Sequence, residues 1–155
     1  MISAMRRFAN LEEFAASKGE HLGYSSWHQV TQQQINLFAD ATGDHQWIHT
    51  DPERAAAGPF GATIAQGYLT LALVNVFMPE IFQISGLAMG INFGLDKVRF
   101  PMPVRVGSRL RGGALLVDLK NSHAGKLSTV RVTVEIEGEQ RPACVADTLS
   151  LYVAA

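Results

Sequence analysis

The chain has 155 residues, 47% of them apolar and 17% charged, with a formal net charge of −1. That length predicts one domain with a real core, placed over 1–155, and the scattered Lys and Arg lack the basic footprint of a nucleic-acid binder. The single cysteine, Cys144, excludes an internal disulfide framework and a multi-cysteine zinc site.

The opening "MISAMRRFANLEEFAAS" has two arginines and early acidic residues but no uninterrupted apolar run, so it does not read as a signal peptide. Phe8, Leu11, Phe14 and Ala15 recur at helical spacing and Gly19 closes the segment, which predicts a helical N-terminal segment within about 1–29. "YSSWHQVT" reads as a short strand. "TQQQINLFADATG" reads as a capped helix, with Thr31 as N-cap and Gln34 completing a capping box.

Ile64 to Phe77 is apolar on every side, with Pro79 expected to end the run. A helix without a wet face should be buried all round, and in a small domain a sheet wrapped around it does that. The most apolar part, Tyr68 to Met78, is about half the length of a bilayer-spanning helix, so the expectation is a cytoplasmic protein with no membrane partner.

"INFGL", "KVRF" and "RLRGGALLVDL" read as strands. "VRVTVEIEG" alternates strictly, with Val130, Val132, Val134 and Ile136 on one face. In "CVADTLSLYV" the apolar face is read as Val145, Leu149, Leu151 and Val153, interrupted by Asp147. "NSHAG" and "EGEQRP" supply the turns. The predicted class is α+β: early helices, one buried helix, then an antiparallel meander with one dry side.

Chemistry concentrates in "ATGDHQWIHTDPERAAAG", where Asp44, His45, His49 and Asp51 fall within eight positions. On a continuous helix Asp44 and His49 would point roughly 140° apart, so convergence needs a stop at Gly43. Thr50 and Glu53 have capping-box spacing and Pro52 suits a first turn, so a second helix follows. Between the helices an Asp facing a His can hold one water and exchange protons near neutral pH. The same residues also fit a bare turn and a satisfied histidine, and spacing leaves both readings open. His45 reads as a solvated loop position and Asp51 as part of the second helix's start. A metal site would need further ligands, and none lies close in sequence. In "GPFGATIAQGYLTL", Gly67 opens the buried helix, where backbone N–H groups lack helical partners. An acyl carbonyl could be polarised there, or Gly67 could simply allow close packing.

Together "TGDHQWIH" (Thr42 to His49), "AQGYLTLAL" (Ala65 to Leu73) and "VRFPMPVRVGSRL" (Val98 to Leu110) resemble the MaoC-like (R)-specific enoyl-CoA hydratases. Those proteins have the hotdog fold, an antiparallel sheet around a long central helix. The resemblance implies reversible hydration of trans-2-enoyl-CoA to (R)-3-hydroxyacyl-CoA. Asp44 and His49 would hold the water, and the Gly67 N–H would hold the thioester oxygen. Gln46, Phe60, Tyr68 and Asn75 are the implied substrate-binding residues. No metal or cofactor is implied, coenzyme A being part of the substrate. The implied partners are an acyl-CoA or acyl-carrier-protein thioester and a second copy of the chain, joined edge to edge with the thioester along the boundary. Lys97, Arg99, Arg105, Arg109 and Arg111 are candidates for the coenzyme A phosphates, and equally ordinary strand residues.

Two positions depart from the family pattern. Gln46-Trp47 replaces Asn-Pro, a variant shared with a nodulation-protein-N-like subgroup, and Gln66 replaces the usual His. A hotdog thioesterase and a non-catalytic acyl-thioester-binding module are the rival readings.

Overall fold

The computed structural model describes residues 4–155. The chain begins with β1 (Arg6–Phe8), α1 (Leu11–Ala15), β2 (His21–Tyr24) and β3 (His28–Gln29). The helical segment expected over about 1–29 is therefore one five-residue helix among short strands, and residues 1–3 lie outside the described residues. Burial explains the correction. Phe8, Leu11 and Phe14 are all in the core, but Gly19 N–H donates to the Leu116 carbonyl at 2.7 Å and draws the chain onto the sheet. "YSSWHQVT" is strand only at Tyr24 and at His28–Gln29, because Ser26 between β2 and β3 turns to bond Glu80.

Next comes α2 (Gln32–Thr42), whose N-cap Thr31 accepts from Gln34 N–H at 3.1 Å. The box is half made: the Gln34 side-chain oxygen is buried without a partner among the described residues. Gly43 ends α2 at φ 80, a left-handed conformation in which glycine carries no Cβ penalty. A single turn, α3 (Trp47–Thr50), leads to α4 (Pro52–Ala56). Here the cap is Asp51, not Thr50: Asp51 accepts from Arg54 N–H at 3.0 Å, while the Thr50 hydroxyl donates back to the His45 carbonyl.

The central helix runs as α5 (Gly67–Ala72) and α6 (Val74–Ile81), interrupted at Leu73, whose dihedrals stay right-handed helical. Pro79 lies inside α6 rather than after it. The hydrogen bond it deletes would have gone to Asn75, which is exposed, so water can take that carbonyl. Nor does the chain bury this helix all round. Leu69, Leu73, Val74, Phe77 and Ile81 face the core, whereas Tyr68, Ala72, Asn75, Val76 and Pro79 are exposed.

After β4 (Phe82–Ile84), parallel to β1, come β5 (Leu87–Arg99), β6 (Arg109–Ser122), β7 (Gly125–Ile136) and β8 (Cys144–Ala154). The antiparallel order is β2-β6-β7-β8-β5, with β3 also on β6. The meander thus covers β6 to β8, and β5 crosses to the far edge rather than lying beside β6. This is the α+β hotdog arrangement. A Cβ on Gly112 of β6 would sit 2.8 Å from the Phe77 Cβ, so a bare glycine is what lets helix and sheet close up.

β7 alternates as expected, with Val130, Val132, Val134 and Ile136 buried. β8 is inverted relative to expectation. Its register sets Cys144 opposite Val134 and Ala146 opposite Val132, so the small residues face the helix and Val145, Leu149, Leu151 and Val153 look outward. Asp147 belongs to that outer face, where Arg131 donates to it at 2.7 Å and holds its carboxyl below the usual range. Packing volume under the helix outranked apolarity in choosing the face.

Candidate active site

α2 and the turn at Gly43 deliver Asp44, and α3 delivers His49. His49 is only 6% exposed, and its Nδ1 lies 2.7 Å from the Ile64 carbonyl oxygen. A carbonyl can only accept, so Nδ1 carries a proton, and whenever the ring is neutral its lone pair is on Nε2. That Nε2 faces Asp44 Oδ2 at 3.8 Å. The separation is too long for a direct hydrogen bond, and it lets the two acceptors share the two O–H groups of one water. Asp44 is half exposed, which leaves the pair accessible from outside.

The surroundings hold this geometry. Ile64 N–H donates to the Ile48 carbonyl at 3.0 Å, and Ala65 N–H to the Val104 carbonyl at 2.7 Å, so the oxygen that orients His49 is itself fixed on two sides. Trp47 stacks under the Arg54 guanidinium, 4.3 Å from its ring centroid, and packs on Gly58. That stack stiffens the loop where the family pattern has proline. His45 points away, half exposed and 3.8 Å from Asp40.

Gly67 opens α5, so its N–H has no intrahelical partner. It lies three residues after Ile64, so one short segment carries both the oxygen that sets His49 and this amide. The Phe100 ring lies 3.4 Å from where a Gly67 Cβ would be. Gln66 beside it is 2% exposed; its Nε2 donates to the Ile35 carbonyl at 3.2 Å.

Tyr68 and Asn75 line a groove of about 620 Å³ between the exposed face of the central helix and strands β5 and β8, together with Met78, Phe82, Phe93 and Leu95. Asp44 and His49 do not line it. Gln46 is exposed, with no side-chain cap bond to α3, and Phe60 lies off the groove with its carbonyl held by Arg105. The structure therefore brings Asp44 and His49 together, ties Gly67 to them through 64–67, and sets Tyr68 and Asn75 apart in the groove. Of the candidate phosphate ligands, Arg109 and Arg111 are paired with Glu137 and Glu135. Sequence reasoning missed Gln32, Thr63 and the Ile64 carbonyl. Nothing in "TQQQ" distinguishes Gln32 from its neighbours, because its role depends on two distant segments.

The MaoC like domain model matches residues 13–140, and the chain belongs to that family. It is 53% identical over 151 residues to the 3-hydroxyacyl-thioester dehydratase Z of Mycobacterium tuberculosis, covering 97% of this chain and 100% of that protein. It is 48% identical over 148 residues to nodulation protein N of Rhizobium meliloti, covering 92% and 90%. Among solved structures, the unliganded R-hydratase PhaJ1 from Pseudomonas aeruginosa superposes with TM-score 0.72 at 20% identity, covering 89% of this chain and 83% of that one, a likeness of fold. Among the described residues no helix is long and apolar enough to cross a membrane.

Proposed function

We propose that this protein is a hydro-lyase that adds water reversibly to a trans-2-enoyl thioester, giving the (R)-3-hydroxyacyl thioester. The observation that carries the reading is the state of His49: Nδ1 committed to Ile64, Nε2 bare and 3.8 Å from Asp44. The near-full-length relative named a 3-hydroxyacyl-thioester dehydratase supports it.

In this mechanism Asp44 accepts one O–H of the water and His49 Nε2 the other. His49 takes the proton as the oxygen attacks the β-carbon. The alkene electrons move onto the thioester oxygen, where the Gly67 N–H stabilises the enolate. The proton is returned to the α-carbon as the carbonyl re-forms. Coenzyme A arrives as part of the substrate, and the reaction uses no metal or redox cofactor.

A second copy of the chain is part of the proposal. β5 is an edge strand with Met89, Ile91, Phe93 and Leu95 all more than 40% exposed. A long apolar edge beside an apolar groove is stable in water only when covered. Edge-to-edge pairing of two β5 strands would cover both and place the thioester along the boundary.

The test is loss of the conjugated enoyl absorbance on adding a short trans-2-enoyl-CoA. Wild type should turn over, and Asp44→Asn and His49→Ala should each lose about 10²- to 10⁴-fold in kcat with the fold intact. Activity that survives both changes overturns the site, and release of free thiol would point to thioester hydrolysis instead.

A further inference from the structure

We infer that Gln32 is a positioning residue that latches His49 at its working distance from Asp44, an inference that rests on the hydration reading above. Its side chain stands at the first turn of α2, and every polar atom on it is engaged. Nε2 donates to the His49 carbonyl at 2.8 Å and to Asn36 Oδ1 at 2.9 Å. Oε1 accepts from the Thr63 hydroxyl. The amide orientation follows from chemistry, because the His49 carbonyl can only accept and so requires the NH₂.

Two features make this a latch rather than an incidental bond. First, α3 is a single turn, so the His49 carbonyl has no acceptor role within its own helix and would be an orphan without Gln32. Second, Thr63 is 1% exposed and directly precedes Ile64, whose carbonyl takes the His49 Nδ1 proton. Gln32 thus binds the main chain of His49 with one end of its amide. With the other it binds the segment that orients the imidazole.

The same helix carries Asp44 just past its far end. α2 spans eleven residues from Gln32 to Thr42, and Gly43 turns the chain into Asp44. One rigid element therefore grips the histidine at its start and presents the carboxylate at its finish. The 3.8 Å gap between Nε2 and Oδ2 is set by the length of α2 together with the Gln32 latch. If the latch is lost, α3 can shift against 63–65, and small misplacements of a reacting group cost rate out of proportion to their size.

Gln32→Glu is the sharpest probe. The carboxylate keeps the shape and can still accept from Thr63, but it has no N–H for the His49 carbonyl. kcat should fall about 10- to 100-fold with KM little changed. In ¹H–¹⁵N spectra His49 should lose its pure Nδ1–H tautomer, and the acid limb of the pH–rate profile should move. Gln33→Leu, on the neighbouring exposed position, should do none of this. If Gln32→Glu does not fold, Thr63→Val removes the hydroxyl donor at the other end and reads the same latch.

Wild-type kcat and an unchanged His49 tautomer in the variant would overturn the inference. If the wild type shows no hydration but the tautomer still collapses in Gln32→Glu, the latch stands and the hydration reading falls. If hydration is present and lost in His49→Ala but untouched in Gln32→Glu, the reading stands and the latch falls.

Discussion

The two faces of the central helix are alike in composition and opposite in fate. On one, Leu69, Leu73, Phe77 and Ile81 are buried by the chain's own sheet. On the other, Tyr68 and Ala72 lie open above a groove floored by β5 and β8, with Tyr68 75% exposed, and Val76 is exposed as well. An apolar side chain records only that water is to be excluded. It does not record whether the covering surface belongs to the same molecule.

The contrast can be sharpened by substituting one aromatic on each side. Phe77 is fully buried against Gly112, so Phe77→Ala should lower unfolding free energy by about 3–5 kcal/mol, read by denaturant melts at fixed protein concentration. Phe93 is 63% exposed on the groove. Phe93→Lys should leave the protomer folded but raise the dissociation constant of the proposed dimer at least tenfold, about 1.4 kcal/mol. Sedimentation across a dilution series checks it, and a wild type that is monomeric throughout would break the comparison.

The smallest effect is expected at the border between the faces, where α6 is fastened to the segment joining β2 and β3. Glu80 accepts from Ser26 N–H at 2.8 Å, from the Ser26 hydroxyl at 2.7 Å, and pairs with His28 Nε2 at 2.7 Å. Burial pushes its carboxyl up, but these bonds outweigh that and hold it below its ordinary 4.5. A carboxyl depressed on folding stabilises above its unfolded value, and that stability is lost as pH falls through the folded value. Glu80→Gln should therefore cost about 1 kcal/mol or less near neutral pH, given that the group is over one-third exposed. The difference from wild type should vanish as acidification carries the pH down through the folded carboxyl's lowered pKa, read by melting curves across pH. A constant difference across that range would remove Glu80 from the account.

Much of this architecture was legible in the residues themselves. The alternation in β7, the stop at Gly43, the Thr31 cap and the turn before β7 are local, and local steric and hydrogen-bonding preferences decide them. The convergence of Asp44 and His49 followed from a glycine stop and a short intervening turn. What failed was non-local. The inner face of β8 is chosen by its register against β7 and by the volume left under the helix. The fate of "MRRFANLEEF" is decided in part by β4, which pairs with Arg6–Phe8 from 76 residues later in the chain.

By itself the sequence determined the alternation of β7, where α2 stops, and that a short turn could bring Asp44 and His49 face to face. Only the tertiary structure decided which nitrogen of His49 is free. That choice is made by a carbonyl fifteen residues away, in a segment that Thr63 joins through the Gln32 side chain to the turn carrying His49. Periodicity and capping are short-range forces acting along the chain. Tautomer, register and the open face of a helix are set by whatever the fold brings next to them in space.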